Sequence, residues 1–424
     1  MNNTINRLII IGNGFDLAHG MKTKYKDFIN GYLRQRINEH RVSPSPKKTE
    51  DKLMSIISSW FRNNLPPNYY TPSVEMLRDE YDDNLTPKQN LDKVRACGYE
   101  VKLSPFFEKI IEEIENKNWV DIEFEYYKHL CSLLKKLDLS DEEDTNEINV
   151  LNGEMKFITK KLKEYLEGEN EKAKKNPAAD KEMQLEIIRP LRSQEIAVSA
   201  EESWKEFVER REDNFHDKHK IGIKLQLLMG FYCDKRYQSD DGTDVYKLFP
   251  GKVFLLNFNY TTYIESNFRN MSELFVGSCE QEHIHGDLND ENSIIFGYGD
   301  DSGEMYKRLS DKNDNRFLEN DKTVKYLGSA RYRNFLGFIE SAPFQVCIMG
   351  HSCGVSDRTL LSTIFKHENC VSIKPYYHKK ENSDDYYEII KNISRCFDDK
   401  KLMRDRVVNK EYCEPLPQPG KDNE

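Results

Sequence analysis

Four stretches of this chain set polar or glycine-rich groups directly after apolar runs: Gly12-Asn13-Gly14-Phe15-Asp16, Asn257-Phe258-Asn259-Tyr260-Thr261, His285-Gly286-Asp287 and Gly350-His351-Ser352-Cys353-Gly354. In an open α/β sheet, ligands bind beyond the carboxyl ends of the strands, so the four would deliver their groups to one rim and line one pocket. Glycine at 12 and 14 lets the backbone turn sharply and approach a phosphate. The helix that follows would aim unpaired N–H groups at the anion. A dinucleotide fingerprint has a third glycine where Leu17 stands, and without it the turn reads as a general phosphate cradle.

Each of these residues also has a reading that needs no ligand. Asp16 either caps the first helix or meets a ligand. Asn259 and Thr261 either serve a ligand or satisfy backbone groups at a strand end. His283 and His285, two apart on a strand, share a face; one of them could be structural, and Gly286 at the strand end favours His285 for chemistry. His19 and His351 are divided between ligand contact and structure in the same way. Cys353 has no base partner at a fixed spacing and is not read as a nucleophile. Trp119 and Glu123 lie four apart on a helix face, which either sends Glu123 to the pocket or leaves it solvated beside a packed Trp.

The elements that position these groups follow from hydrophobic patterning. Arg7-Leu8-Ile9-Ile10-Ile11 is a continuous apolar run of the kind found in a parallel strand covered on both faces. Further strands are expected at 253–260, 282–285, 293–297, 344–350 and 370–375, and an amphipathic helix at Tyr386–Leu402. Between about 32 and 248 charged residues dominate and apolar ones recur at helical spacing, as in Phe106, Ile110, Ile111 and Ile114 or Phe157, Ile158, Leu162, Tyr165 and Leu166. Pro44-Ser45-Pro46 and Pro66-Pro67 punctuate the region. The fold class is therefore α/β, a Rossmann-like parallel sheet interrupted by a large, mostly helical insertion. A discontinuous nucleotide-binding domain covers 1–31 and 249–405, a helical insertion domain covers 32–248, and a disordered tail covers 414–424.

Composition narrows the function classes. The net charge is −10 with both signs interspersed, which argues against a nucleic-acid surface, since that needs a basic stripe to displace counterions. Nine cysteines without a CxxC pair form neither a zinc site nor a redox dithiol, and no metal is expected. No run reaches the length of a membrane span and no leader pattern opens the chain. A cytoplasmic protein with reduced thiols is expected.

Read together, the motifs carry a resemblance. Gly12-Asn13-Gly14-Phe15-Asp16, Gly20-Met21-Lys22-Thr23 and Tyr25-Lys26-Asp27-Phe28 resemble the GAGxS…SGLP opening of sirtuin-like NAD-binding domains. Asn259-Tyr260-Thr261 with Glu265 is similar to their N-Y-D-x-x-x-E segment, and His283-Ile284-His285-Gly286 to their x-L-H-G strand. Gly350-His351-Ser352 with Asp357 is similar to their G-x-S…D loop. The whole ordered set (IGNGFDLAHG, FNYT, HIHGDL, IIFGYG and IMGHS…D) resembles the AbiH family of bacterial abortive-infection proteins nearly end to end, most weakly between residues 40 and 240.

The resemblance implies hydrolysis of NAD as a substrate, through the oxocarbenium-like state that glycoside cleavage shares. His285 would be the base and Asn259 would orient a water or the ribose. Gly12, Asn13, Gly14, Phe15, Asp16, Thr261, Gly350, His351 and Ser352 would hold the nucleotide. Asp16 stands where sirtuins have Ser or Thr, so a carboxylate near phosphates needs compensation, with Lys22 and Lys24 as candidates. Thr261 replaces an Asp of the nicotinamide pocket, and the absent CxxC pairs remove the zinc module of deacylating sirtuins. An enzyme that destroys NAD must be restrained, which implies a homo-oligomer or the insertion as a brake and a phage-derived activator or co-encoded defence protein as trigger. A nucleotide-binding sensor without turnover is the alternative.

Overall fold

The computed structural model describes residues 4–42, 48–58, 82, 84–117, 121–138, 146–173, 177–209, 248–268, 278–299 and 303–418. The expectations for Pro44-Ser45-Pro46, Pro66-Pro67, Trp119 and the tail beyond 418 lie outside these residues. The chain divides into two compact units: one comprises Met1–Met21, Asn170–Ile295 and Thr323–Glu424, the other Lys22–Glu169 and Phe296–Lys322.

Among the described residues, eight strands form two sheets. β1 (Asn6–Ile11), β5 (Lys252–Asn257), β6 (Ser278–His283), β7 (Phe344–Met349) and β8 (Cys370–Tyr376) make an all-parallel sheet in the order β6-β5-β1-β7-β8. Counted by appearance within that sheet, the order is 3-2-1-4-5, the order of a doubly wound nucleotide-binding fold, with its topological switch point between β1 and β7. β2 (Lys48–Glu50), β3 (Met54–Ser58) and β4 (Tyr99–Leu103) make a small antiparallel sheet in the second unit, which the charged sequence around them did not announce.

The uninterrupted apolar character of β1 has a direct cause. Leu8 and Ile10 face a core with Phe254, Leu256, Val346 and Ile348 under helices Arg331–Ser341 and Arg358–Lys366. Ile9 and Ile11 face a second core with Val253, Leu255, Cys347 and Met349, covered by helices Asn13–Ala18 and Pro177–Ile188. Every side chain of a strand covered on both faces must be buried, so alternation disappears.

Several expected boundaries move. Strand 253–260 stops at Asn257, and strand 282–285 is displaced to Ser278–His283. Residues 293–297 are not a strand: Ile295 N donates to His285 O and Gly297 N to the Glu123 carboxylate instead of to a ladder. The helix expected over 386–402 is two, Tyr386–Arg395 and Lys400–Arg406, because Asp399 caps the second by accepting from Lys401 N. The units also divide the chain elsewhere than at 32 and 248. Helix Pro177–Ile188 puts Met183, Ile187 and Ile188 into the sheet core, and Phe296–Lys322 joins the helical unit. Glu414–Gln418 is not a loose tail, since Leu416 is buried and its N–H donates to Tyr377 O.

Glu414 also belongs to a buried ion network on the polar, amino-terminal part of the second sheet face. Glu195 has no exposed side-chain surface and meets Lys374 Nζ at 2.6 Å, Gln345 Nε2 at 2.9 Å and the guanidinium of Arg189. Arg7 donates to Gln345 Oε1 and to the carbonyls of Ile187 and Arg189, while Glu414 meets Arg189 and Arg192, each at 2.9 Å. Burial alone would raise the Glu195 pKa, but Lys374, Arg189 and Arg192 together hold it well below the usual carboxylate range. Removing one partner of such a group leaves its cations uncompensated in a dry interior. Glu195→Gln should therefore destabilise the protein by about 3–5 kcal/mol, measured by urea unfolding; a loss below about 1 kcal/mol, the scale of a surface pair, would show that the network is solvated.

Candidate functional site

The turns after β1 and β7 meet backbone to backbone at the switch point. Gly12 N donates to Met349 O at 3.1 Å and Gly14 N to Gly350 O at 2.7 Å. A Cβ on Gly12 would lie 2.5 Å from His351 Cα, and one on Gly14 2.7 Å from Gly350 Cα. Gly350 has φ +75°, and a Cβ there would lie 2.2 Å from Phe15 N. Glycine is required at 12, 14 and 350 by the approach of the chain to itself. The N–H groups of Gly12, Gly14 and Phe15 are engaged by the carbonyls of Met349, Gly350 and Gly12, so these three donors are not held out for a phosphate.

The turn after β5 builds a polar cluster on this base. Asn259 N donates to Asn257 Oδ1 at 2.9 Å, and Asn259 Nδ2 donates to Gly12 O at 3.1 Å. His283 Nδ1 donates to Asn259 O at 2.8 Å, and its Nε2 faces the Glu265 carboxylate. With an acceptor at each ring nitrogen the ring is an imidazolium; burial opposes this charge, but Glu265 outweighs it and raises the pKa.

Asp16 is 2% exposed and does not cap the helix, since the N-cap is Gly12 and Asp16 lies one turn in. Thr261 Oγ1 donates to its Oδ2 at 2.6 Å. Burial pushes the Asp16 pKa up to about 7, against hydrogen bonds from Thr261 and Asn259 and the charge of His283. The expected compensation by Lys22 or Lys24 is thus supplied by two neutral donors and an imidazolium.

A second cluster stands at the ends of β6 and β7. Because β6 ends at His283, and Gly286 turns with φ +84°, the period-two argument does not reach His285, and the two histidines join different groups. His285 Nε2 lies 3.1 Å from Tyr326 Oη and 3.3 Å from Asp357 Oδ1. The other oxygen of Asp357 lies 3.4 Å from His351 Nε2. Cys353 N donates to His351 Nδ1 at 3.0 Å, so that ring carries its proton on Nε2, toward Asp357. Phe258 packs against both imidazoles, with ring centroids 5.1 Å from His285 and 4.3 Å from His351. One carboxylate thus orients two histidines at the carboxyl rim.

The other candidates separate clearly. Asn13 and Ser352 are exposed, whereas Phe15 is a core residue packed on His19 and Phe268. His19 is structural: Nδ1 donates to Phe15 O at 2.8 Å, and Nε2 lies 3.4 Å from Asp180. Cys353 is buried, and burial drives its thiol pKa well above the ordinary value, which suits no nucleophile. Glu123 is not solvated; within the helical unit it binds Lys322 Nζ at 3.1 Å and accepts from Gly297 N. Tyr326 and the bridging role of Asp357 escaped sequence reasoning because their partners lie 41 and 72 residues away, with no local spacing to signal them. Among the described residues no group of three or more His, Cys, Asp or Glu could hold a metal ion, and no helix is long and apolar enough to cross a membrane.

The burial of Asp16 has a measurable consequence. Its folded pKa of about 7 exceeds the unfolded 3.8, so folding prefers the protonated form; that contribution is complete below the unfolded value and is lost as pH climbs through the folded one. Asp16→Asn carries no such dependence. The variant should gain on the parent protein between pH about 4 and about 7, by up to about 4 kcal/mol, and hold a constant difference above. Denaturation across that range checks it, and a difference that does not change with pH would mean that Asp16 is ionised throughout.

No curated protein matches the chain. The family model for bacteriophage abortive infection AbiH matches residues 8–378, from the β1 turn through all four strand-end motifs, and the chain belongs to that family.

Proposed function

We propose that this abortive-infection protein acts by hydrolysing NAD to nicotinamide and ADP-ribose in a sirtuin-like pocket at the carboxyl rim of the sheet. The observation that carries the reading is the arrangement of Asn259 and His285 on neighbouring strand ends, each held in a defined orientation beside the β1/β7 switch point where nucleotides bind in such folds. Asp357 at His285 Nε2 favours the proton there, which leaves the lone pair on Nδ1 as the base. Water attacks C1′ of the ribose and gives its proton to that base. The C1′–N bond breaks with its electron pair going to nicotinamide. Asn259 orients the water or a ribose hydroxyl, and His351 and Ser352 face the nucleotide from the β7 turn.

Uncontrolled NAD loss would kill the host, so the reading includes restraint by self-association or by the helical unit until a phage-derived activator or co-encoded partner releases it. A nucleotide sensor without turnover is the second reading. It draws on the backbone N–H groups of Gly12, Gly14 and Phe15 being satisfied internally, as suits a site that holds a ligand loosely and signals.

The test follows nicotinamide release from NAD by the purified full chain, with and without lysate of phage-infected cells. His285→Ala and Asn259→Ala should each lower turnover by roughly a hundred- to ten-thousand-fold. Nucleotide binding with no nicotinamide release under any condition selects the sensor. Undiminished release by His285→Ala would remove the assigned base while keeping the activity.

A further inference from the structure

We infer that His283 is a positioning residue: clamped by Glu265, it holds the main chain of Asn259 and so aims the Asn259 amide. The inference rests on the NAD-hydrolase reading for the reaction that the amide serves, and on geometry for the clamp itself.

β5 and β6 end side by side, with Asn257 opposite His283 in register and Ile284 N donating to Asn257 O at 2.9 Å. Asn259 lies two residues past the last ladder pair, so strand pairing no longer fixes it. Three other bonds do. Its N–H donates to Asn257 Oδ1 at 2.9 Å, its Nδ2 donates to Gly12 O at 3.1 Å, and its carbonyl accepts from His283 Nδ1 at 2.8 Å. The third is the shortest of them and ties Asn259 to β6.

The acceptor settles the direction of that third bond. A carbonyl oxygen cannot donate, so the proton of the bond is on Nδ1. At the opposite nitrogen the Glu265 carboxylate is in contact with Nε2. A ring lone pair would be repelled there, so a proton lies between Nε2 and the carboxylate. Whichever of the two atoms carries it, Nδ1–H still points at Asn259 O.

The clamp is held in its turn. Glu265 stands on the short helix Tyr263–Asn267, and Gln281 Nε2 donates to its Oε1 at 2.5 Å. Gln281 and His283 are two apart on β6 and share a face, which is why one carboxylate meets both. The His283 carbonyl accepts from Arg331 Nη1 and from Gly286 N, each at 3.1 Å. The ring is thus fixed at both nitrogens, on a main chain fixed at its carbonyl, and it resists any movement of Asn259. Both nitrogens being engaged, His283 acts on the reactant through Asn259. A displacement of about 1 Å at a group that orients a reactant costs about a hundredfold in rate.

Paired substitutions in the full chain test this. His283→Phe keeps a ring and removes the donor, whereas His283→Asn places an amide N–H close to where Nδ1 stands. His283→Phe should lower kcat for nicotinamide release about a hundredfold with KM changed by no more than about threefold, and His283→Asn should return kcat to within about tenfold of the parent protein. Glu265→Ala, which frees one side of the ring, should lower kcat by a smaller factor, and Glu265→Gln, whose amide can donate to Nε2, should restore it. This second pair decides the matter if His283→Phe does not fold. The carbonyl 13C signal of Asn259, assigned in protein labelled at asparagine by its loss in Asn259→Asp, needs no turnover. It should shift in His283→Phe and return toward its parent position in His283→Asn. Equal losses of kcat in His283→Phe and His283→Asn would overturn the inference, since a donor that only filled space or did acid–base chemistry is not replaced by an amide. A rise in KM at unchanged kcat, or a carbonyl signal indifferent to His283→Phe, would overturn it as well. If the parent protein releases no nicotinamide while the carbonyl signal follows the donor, the hydrolase reading fails and the clamp stands.

Discussion

Two strand-end turns packed backbone against backbone leave no room for a side chain between them, and the candidate site is assembled on that contact. Gly12, Gly14 and Gly350 are glycines because Gly350, His351, Phe15 and Gly14 occupy the space where a Cβ would go. The contact fixes where the Gly12 carbonyl points, that carbonyl receives the Asn259 amide, and the Asn259 carbonyl in turn accepts from His283 Nδ1. On the other side of the contact the turn after β7 carries His351, which shares Asp357 with His285. A shift of a few tenths of an ångström between β1 and β7 would be felt in both clusters, because neither has slack of its own.

The two ends of the sheet use polar groups in opposite ways. Toward the amino ends, Arg189, Arg192 and Lys374 pair with Glu195 and Glu414, and Arg189 also with Glu186, while Arg7 donates to Gln345 beside them. That network ties Glu195 and the chain near its end to the middle of the sheet. Toward the carboxyl ends, the polar groups are arranged as oriented acceptors and imidazoles around a carboxylate that burial keeps near neutral pH in its titration. The first arrangement anchors the fold. The second gathers imidazoles and carboxylates at the strand ends, with the buried Asp16 held by Thr261.

The helical unit is tied to the second arrangement through the chain itself. Phe296–Lys322 belongs to that unit, where the buried Glu123 holds both Gly297 and Lys322. The residues flanking the segment hold His285: Ile295 N donates to His285 O, and Tyr326 Oη meets His285 Nε2.

The apolar run of β1, the positions of the four strand-end motifs and the α/β class were all legible in the sequence. Local patterning carries them: a strand buried on both faces must be continuously apolar, and a strand end must turn through small or polar residues. The family was legible too, because its motifs stand in order along the chain. What the sequence could not supply was partnership across long separations. It could not say that the glycines of the first turn pack against Gly350 and His351. Nor could it say that Asp16 is compensated by Thr261 and His283 instead of Lys22, or that His283 and His285 part company where β6 ends. Each of these depends on which strands lie side by side, a property of the 3-2-1-4-5 order. Hydrophobic pattern sets which residues are buried; only the tertiary structure decides which buried polar groups meet, and that meeting sets their protonation and orientation.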